Sequence, residues 1–254
     1  MSIQQAVYPD LRDKVVLISG GASGIGESMV RAFAAQGARV GFVDRAQSQG
    51  ERLAALLGSQ GHSVEFGHCD ITDEIAYKAA IARFEHSLGP ITVLVNNAAN
   101  DVRHPGGGRF GYLRQTDFRQ PQARLFAAKA VVPMMKAAGF GSIINLGSVG
   151  WMMASAGYPV YAASKAAAHG MTRALARELG PSRIRVNTLV PGWVMTEKQL
   201  AMWVDDAARD LISRSQCLPG SVLPEHIANM ALFLASDASA MCSAQNFIVD
   251  GGWV

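Results

Sequence analysis

Lys14-Val-Val-Leu-Ile-Ser19 runs directly into Gly20-Gly-Ala-Ser-Gly24-Ile-Gly26, and a helical pattern through Met29, Phe33 and Gln36 follows until Gly37. No other stretch restricts the fold as much. The short β-branched run predicts a buried strand, and the glycine after the helical pattern predicts its stop. A strand, a glycine turn and a helix start together make an anion site. Backbone N–H groups point outward there, and the helix dipole favours a pyrophosphate. Glycine clusters also occur in ordinary turns. In this context, Gly20, Ser23, Gly24, Ile25 and Gly26 are expected to hold a dinucleotide.

The same alternation continues along the chain. Ala38-Arg-Val-Gly-Phe-Val-Asp44 predicts a second strand, Ser63–Cys69 a third that ends in Asp70-Ile71, and Ile91–Val95 a fourth. Gly141–Ser148, Ile184–Val190 and Asn246–Asp250 predict three more. Helical patterns fall between them at Gln47–Leu57, Asp73–Ser87, Thr116–Ala138, a run after Tyr161 to about Leu179, and Pro224–Ser236. On the helix at Thr116–Ala138, Leu125, Phe126, Val131 and Met135 have core-like spacing. Residues 193–217 are expected to form a substrate loop, with a mobile helical insert over 197–217. Strands alternating with helices from end to end give an α/β fold, a Rossmann-type doubly wound parallel sheet in a single domain over residues 1–254.

Asp44 follows the glycines by about twenty residues, the distance at which a carboxylate meets the adenosine ribose and repels a 2′-phosphate. That argues for NAD rather than NADP. Arg45, next door, partly offsets the repulsion. Asn96-Asn97-Ala98-Ala99 either lets a cofactor approach the backbone or simply terminates a strand.

Tyr161 and Lys165 stand one helical turn apart, so the hydroxyl and the ammonium share a face. A free phenol, with a pKa of about 10, is too weak a base near neutrality. A cation at about 4 Å, with an effective dielectric near 20, favours the phenolate by roughly 4 kcal/mol. Tyr158 has Ala162 at the same spacing and cannot form this pair. Ser148, at the predicted carboxyl end of a strand, is placed where open parallel sheets keep their chemistry.

The chain has 254 residues, 49% hydrophobic and 17% charged, with a formal net charge of +3. A small positive balance without Lys/Arg blocks gives no footing for nucleic acid. Cys69, Cys217 and Cys242 are far apart and fit no metal spacing, so no metal is expected and a reduced cytoplasmic setting fits. The first residues lack the regions of a signal peptide, and no apolar run reaches the roughly 20 residues needed to span a bilayer.

Taken together, the Gly20/Gly24/Gly26 turn, Asp70, Asn96-Asn97-Ala98, Ser148, Tyr161-x3-Lys165 and Pro191-Gly192-x3-Thr196 resemble the short-chain dehydrogenase/reductase family over essentially the whole chain. The resemblance implies strand order 3-2-1-4-5-6-7 and a homotetramer. It implies Tyr161 as general base, with Lys165 lowering its pKa and binding the nicotinamide ribose. Ser148 would bind the reacting oxygen, and Thr196 with the Val194 backbone the carboxamide. Ile71, Asn97, Ala98 and Pro191 would complete the cofactor site.

A narrower resemblance is to bacterial sugar dehydrogenases, carried by Asn100-Asp101-Val-Arg103-His104, Ser148-Val-Gly-Trp151, Val190-Pro-Gly-Trp193-Val-Met-Thr, Gln216-Cys217-Leu and Phe247-Ile-Val-Asp-Gly-Gly-Trp253-Val. It implies oxidation of the C1 hydroxyl of an aldose by NAD to an aldonolactone. Trp151 and Trp193 would offer indole faces, and Asn100, Arg103 and Gln199 polar groups, both of which a sugar needs. The alternatives are a dehydrogenase or reductase of another substrate (a 3-oxoacyl thioester, a polyol or other secondary alcohol) and a non-catalytic NAD-binding regulator. One departure stands out. Gln120 occupies the place of the family's catalytic Asn, and Pro121 follows it. Because that Asn acts partly through its backbone carbonyl, Gln120 is expected to keep its relay; the alternative is an impaired relay, with a slow enzyme or a proton that leaves by another route.

Overall fold

The computed structural model describes residues 6–99, 119–153 and 159–254. β1 (Val15–Ser19) is buried along its whole length, and its side chains alternate between two cores. Val16 and Ile18 join Met29, Val30 and Phe33 of α1 (Gly24–Ala35), whereas Val15 and Leu17 join Tyr77, Ile81 and Phe84 of α3 (Glu74–Leu88). A strand apolar on both faces has to be covered on both, which is why parallel sheets carry two helical layers.

The remaining elements follow in the predicted order: β2 (Arg39–Asp44), α2 (Gln47–Ser59), β3 (Val64–His68), β4 (Ile91–Asn96), α4 (Arg119–Ala138), β5 (Gly141–Leu146), α5 (Pro159–Leu179), β6 (Ile184–Pro191), α6 (Glu197–Met202), α7 (Asp206–Ser215), α8 (Pro224–Ala235) and β7 (Asn246–Val249). The seven strands are all parallel in the order β3-β2-β1-β4-β5-β6-β7. α1, α2 and α8 cover one face, and α3, α4 and α5 the other. After β3 the chain returns to the middle of the sheet, so the winding reverses between β1 and β4. Ligands of open α/β sheets bind at such a point, beyond the carboxyl ends of the strands.

Two expectations change. β5 stops at Leu146 rather than Ser148: Gly147 still donates its N–H to Leu189 O at 2.7 Å, but the chain then turns away. Ser148 caps the following 3-10 turn, Val149–Trp151, its hydroxyl accepting from Gly150 N at 3.1 Å. On α4, Leu125 is 45% exposed, while Val131 and Met135 are buried as expected together with Ala127 and Ala128. The apolar stripe there is therefore mostly alanine. α4 is described from Arg119, which puts Gln120 and Pro121 in its first described turn; its expected start at Thr116 lies outside the described residues.

Pro133 lies inside α4 and deprives the Lys129 carbonyl of its helical donor, which costs about 3 kcal/mol in an ordinary helix interior. Both residues are on the exposed side, where water can reach that carbonyl, and the helix continues. The insert after β6 resolves into α6 and α7. Thr196 caps the first by accepting from Gln199 N, and Asp205 caps the second by accepting from Ala208 N at 2.8 Å.

Candidate active site

The carboxyl ends of β1, β2, β4, β5 and β6 open into a cleft of about 1400 Å³. Its floor is the glycine turn. Gly20 has φ +70°, and a Cβ there would stand 2.8 Å from Ala98 Cα. A Cβ on Gly26 would stand 1.8 Å from the Gly20 carbonyl oxygen, closer than any side chain can be. Asn97 braces the turn from β4, its Nδ2 donating to Ser19 O at 3.0 Å and to Gly20 O at 2.8 Å. Asn97 thus holds the glycine loop and, with Ala98, lines the cleft beside it. Ser23 stands at the N-cap of α1 without a side-chain capping bond, so the N–H groups of the first turn remain available to a ligand. These residues fit a pyrophosphate. Gly26→Ala is expected to displace the turn at a cost of about 2–4 kcal/mol, lowering the Tm by roughly 5–10 °C in a thermal melt and weakening binding of a reduced nicotinamide dinucleotide at least tenfold by fluorescence titration.

Asp44 closes β2 with both oxygens engaged by backbone, Oδ2 accepting from Ala22 N and Oδ1 from Ala46 N, each at 3.0 Å. A carboxylate has about four acceptor positions, so two remain for hydroxyl donors in the cleft. Asp70 Oδ1 accepts from Thr72 N and Thr72 Oγ1, while Arg45 Nη1 approaches Asp70 Oδ2 at 3.8 Å. Gly24, Ile25, Ile71, Pro191, Val194 and Thr196 line the same cleft.

At the other end of the cleft stand Ser148, Tyr161 and Lys165. α5 presents Tyr161 and Lys165 one turn apart, with Lys165 Nζ 5.7 Å from the centre of the Tyr161 ring. Lys165 is 4% exposed and donates to the Leu146 carbonyl at 3.2 Å. Arg124 of α4 donates to that same carbonyl through Nη2 at 3.1 Å. Arg124 is 3% exposed, and its Nε and Nη1 have no hydrogen-bond partner among the described residues. Burial pushes its guanidinium down to about 10, the nearby Tyr161 pulling the other way, so it is cationic at neutral pH. Beneath these groups lies a buried polar chain. Asn96 Nδ2 donates to Asn145 Oδ1, Asn145 Nδ2 to Thr172 Oγ1, and Thr188 Oγ1 to Thr172 Oγ1, each at 2.9 Å. It ties α5 to β4, β5 and β6.

The outer wall is aromatic. Trp193 and Trp253 stack with centroids 6.4 Å apart and planes at 29°, and Trp193 Nε1 donates to Gln199 Oε1 at 3.1 Å. Asp250 fixes the segment that brings Trp253 in, accepting from Gly252 N at 2.8 Å and Val254 N at 3.0 Å. Trp151 turns toward α5. It does not line the cleft; its indole meets His169 of α5 edge-on at 4.7 Å and donates to His169 Nε2 at 3.0 Å. That bond requires a neutral imidazole, and burial lowers the His169 pKa accordingly. Asn100 and Arg103 lie outside the described residues, as does the side chain of Gln120.

Arg124, His169 and Trp253 were absent from the sequence-derived site. The signal for His169 was its place two turns beyond Tyr161 on one helical face. For Trp253, it was the indole in the final Gly-Gly-Trp. Arg124 carried none, since an arginine on a helix is by default exposed.

Among the described residues no group of acidic, histidine or cysteine side chains could hold a metal ion, and no helix is long and apolar enough to cross a membrane. A family model described as enoyl-(acyl carrier protein) reductase matches residues 20–254. The chain is 39% identical over 252 residues to a D-xylose 1-dehydrogenase of Caulobacter vibrioides, covering 99% of this chain and 100% of that protein. It is 38% identical over 254 residues to the Rhizobium meliloti protein named probable galactose dehydrogenase GalD, covering 99% of each. Among solved structures, a gluconate 5-dehydrogenase from Burkholderia cenocepacia in complex with NADP and tartrate superposes with a TM-score of 0.86 at 30% identity, covering 96% of this chain and 97% of that one.

Proposed function

The chain belongs to the short-chain dehydrogenase/reductase family, and from that premise we propose that it is an NAD-dependent sugar 1-dehydrogenase that oxidises the C1 hydroxyl of an aldose to an aldonolactone. The observation that carries the substrate class is the full-length identity to D-xylose 1-dehydrogenase. The stacked Trp193 and Trp253 beside the polar Gln199 support it, because a sugar ring rests its C–H face on indole while its hydroxyls need polar partners.

When bound, NAD⁺ supplies the acceptor for the hydride from C1. Tyr161 takes the C1 hydroxyl proton on its phenolate oxygen, and Lys165 favours that phenolate through its charge. Ser148 holds the reacting oxygen with its hydroxyl. Gly20, Ser23, Gly24, Ile25 and Gly26 bind the pyrophosphate through backbone N–H groups. Asp44 accepts from the adenosine ribose, and Asp70 with Ile71 flanks the adenine. Ala98, Pro191, the Val194 backbone and Thr196 position the nicotinamide end. The proton taken by Tyr161 leaves by way of Lys165 and a water that the Gln120 carbonyl would hold on the path to solvent. The preference for NAD rests on Asp44 and on Ser23, where NADP-preferring relatives often carry a basic residue. The NADP in the gluconate 5-dehydrogenase belongs to that protein's site. The same reading has the enzyme working in the cytoplasm as a homotetramer.

The test is a panel of aldoses, polyols, simple secondary alcohols and 3-oxoacyl thioesters with NAD(H) and NADP(H), following reduced cofactor. At least one aldose is expected to exceed every non-sugar in kcat/KM by tenfold or more, with a lactone as first product by NMR. No oxidation of any sugar beside brisk reduction of a keto-thioester would refute the substrate class.

A further inference from the structure

Arg124 is unexplained by the cofactor cleft, which it does not line. It is also unexplained by packing. A guanidinium enclosed to 3% exposure, with Nε and Nη1 unpaired, weakens a core that an apolar side chain of the same length would fill better. Its one described bond goes to the Leu146 carbonyl, the acceptor that Lys165 also uses. Two cations donating to one oxygen are held within about 6 Å of each other, and each resists the other's charge. An anion in their reach relieves both, and the group that forms one there is the Tyr161 phenol.

We propose that Arg124 is a positioning residue of the Tyr161–Lys165 couple: a second buried cation that draws Tyr161 toward its phenolate and pins the carbonyl against which Lys165 is held. The proposal rests on the reading of Tyr161 as the base. Among the described residues, the charged groups shown facing Tyr161 are Lys165 from its own helix and Arg124 from α4. His169, further along α5, is engaged by Trp151, while β5 and β6 put the uncharged Asn145 and Thr188 beneath the helix. Cationic charge on Arg124 persists across the working pH range, so its effect is a constant bias and not a switch. Removing that charge raises the Tyr161 pKa and moves the pH at which the base becomes available to the alkaline side.

Two measurements test this. In the first, kcat/KM for the best aldose is followed against pH at saturating NAD for wild type, Arg124→Met and Arg124→Lys. The Met variant is expected to shift the rising limb by about one pH unit, a tenfold loss near neutrality, and to return within about threefold of wild type on the alkaline plateau. The Lys variant is expected to shift less, and both are expected to keep the wild-type NADH affinity. Because the substitution removes buried unpaired N–H groups, Arg124→Met is also expected to melt no lower than wild type. A loss of equal size at every pH, or a lowered Tm with an unmoved limb, assigns Arg124 a purely structural role and overturns the proposal. The second measurement needs no substrate. The phenolate absorbance of Tyr161 is isolated as the difference between chains with and without Tyr161→Phe, and is titrated with and without Arg124→Met. An alkaline shift supports the proposal even if no sugar is oxidised, and an unmoved Tyr161 transition overturns it even if sugars are.

Discussion

Tyr161→Phe is expected to lower kcat at least a thousandfold while NADH binds within about threefold of wild type. A positioned acid–base group contributes roughly 10² to 10⁴ in rate, and the upper part of that range is expected because Tyr161 is the phenol beside the Lys165 cation. The ring itself stays. Phenylalanine preserves the packing of α5 and loses only the oxygen that moves the proton, so kcat and kcat/KM should fall together. The residual rate should also lose the rising limb of its pH profile. Steady-state kinetics with a fluorescence titration of NADH reads both halves. Tyr158→Phe is the internal control: its i+4 neighbour is Ala162, and turnover should stay within a few-fold. Comparable losses for the two would show that the spacing identified the wrong tyrosine.

Asp44→Ala is expected to collapse the preference for NAD over NADP by about 10²-fold or more. Hydrogen bonds to a charged acceptor contribute about 1.5–3 kcal/mol each, and two ribose hydroxyls are at stake. The same substitution removes a negative charge from beside the place a 2′-phosphate would occupy, so NADP gains while NAD loses. Arg45 is at hand to exploit the change, although Asp70 already holds it at 3.8 Å. The carboxylate also anchors Ala22 N and Ala46 N, so some stability goes with it. A Tm measured in parallel separates that loss from the change in preference. Equal kcat/KM with both cofactors in the wild type would contradict the assignment of Asp44.

The fold was legible because its evidence is local. Val15 to Ser19 is apolar on both faces, the glycines follow without a gap, and each later strand repeats the pattern, so a parallel, doubly wound sheet follows from the alternation, while the strand order came from the family resemblance. Gly20, Asp44, Ser148, Tyr161 and Lys165 were legible for the same reason: each is defined by its distance along the chain from a strand end or a helix turn. The failures are residues whose surroundings come from elsewhere in the sequence. Leu125 has a core residue's chemistry but faces outward, because the alanines around it make the contact with the sheet. Trp151, expected from the narrower resemblance to offer an indole face, has its indole set against His169 on α5 by the 3-10 turn, a contact no local spacing announces. Arg124 is buried because α4 packs against the sheet and α5, which no pattern within α4 announces.

The chain of amides and hydroxyls from Asn96 through Asn145 and Thr172 to Thr188 has a consequence for how such an enzyme changes over time. Its members are almost fully enclosed, and each donor or acceptor left alone there would cost about 1–3 kcal/mol. α5 therefore has one seat on the sheet and no gradual alternative to it, so Tyr161 and Lys165 keep their place however the surroundings drift. Trp193, Gln199, α6 and the segment holding Trp253 hang outside that lock, fastened to one another and to Asp250. Substitutions among them can reshape what the cleft accepts without disturbing the atoms that move the proton. New substrates can then be tried on a machine whose working part is never put at risk.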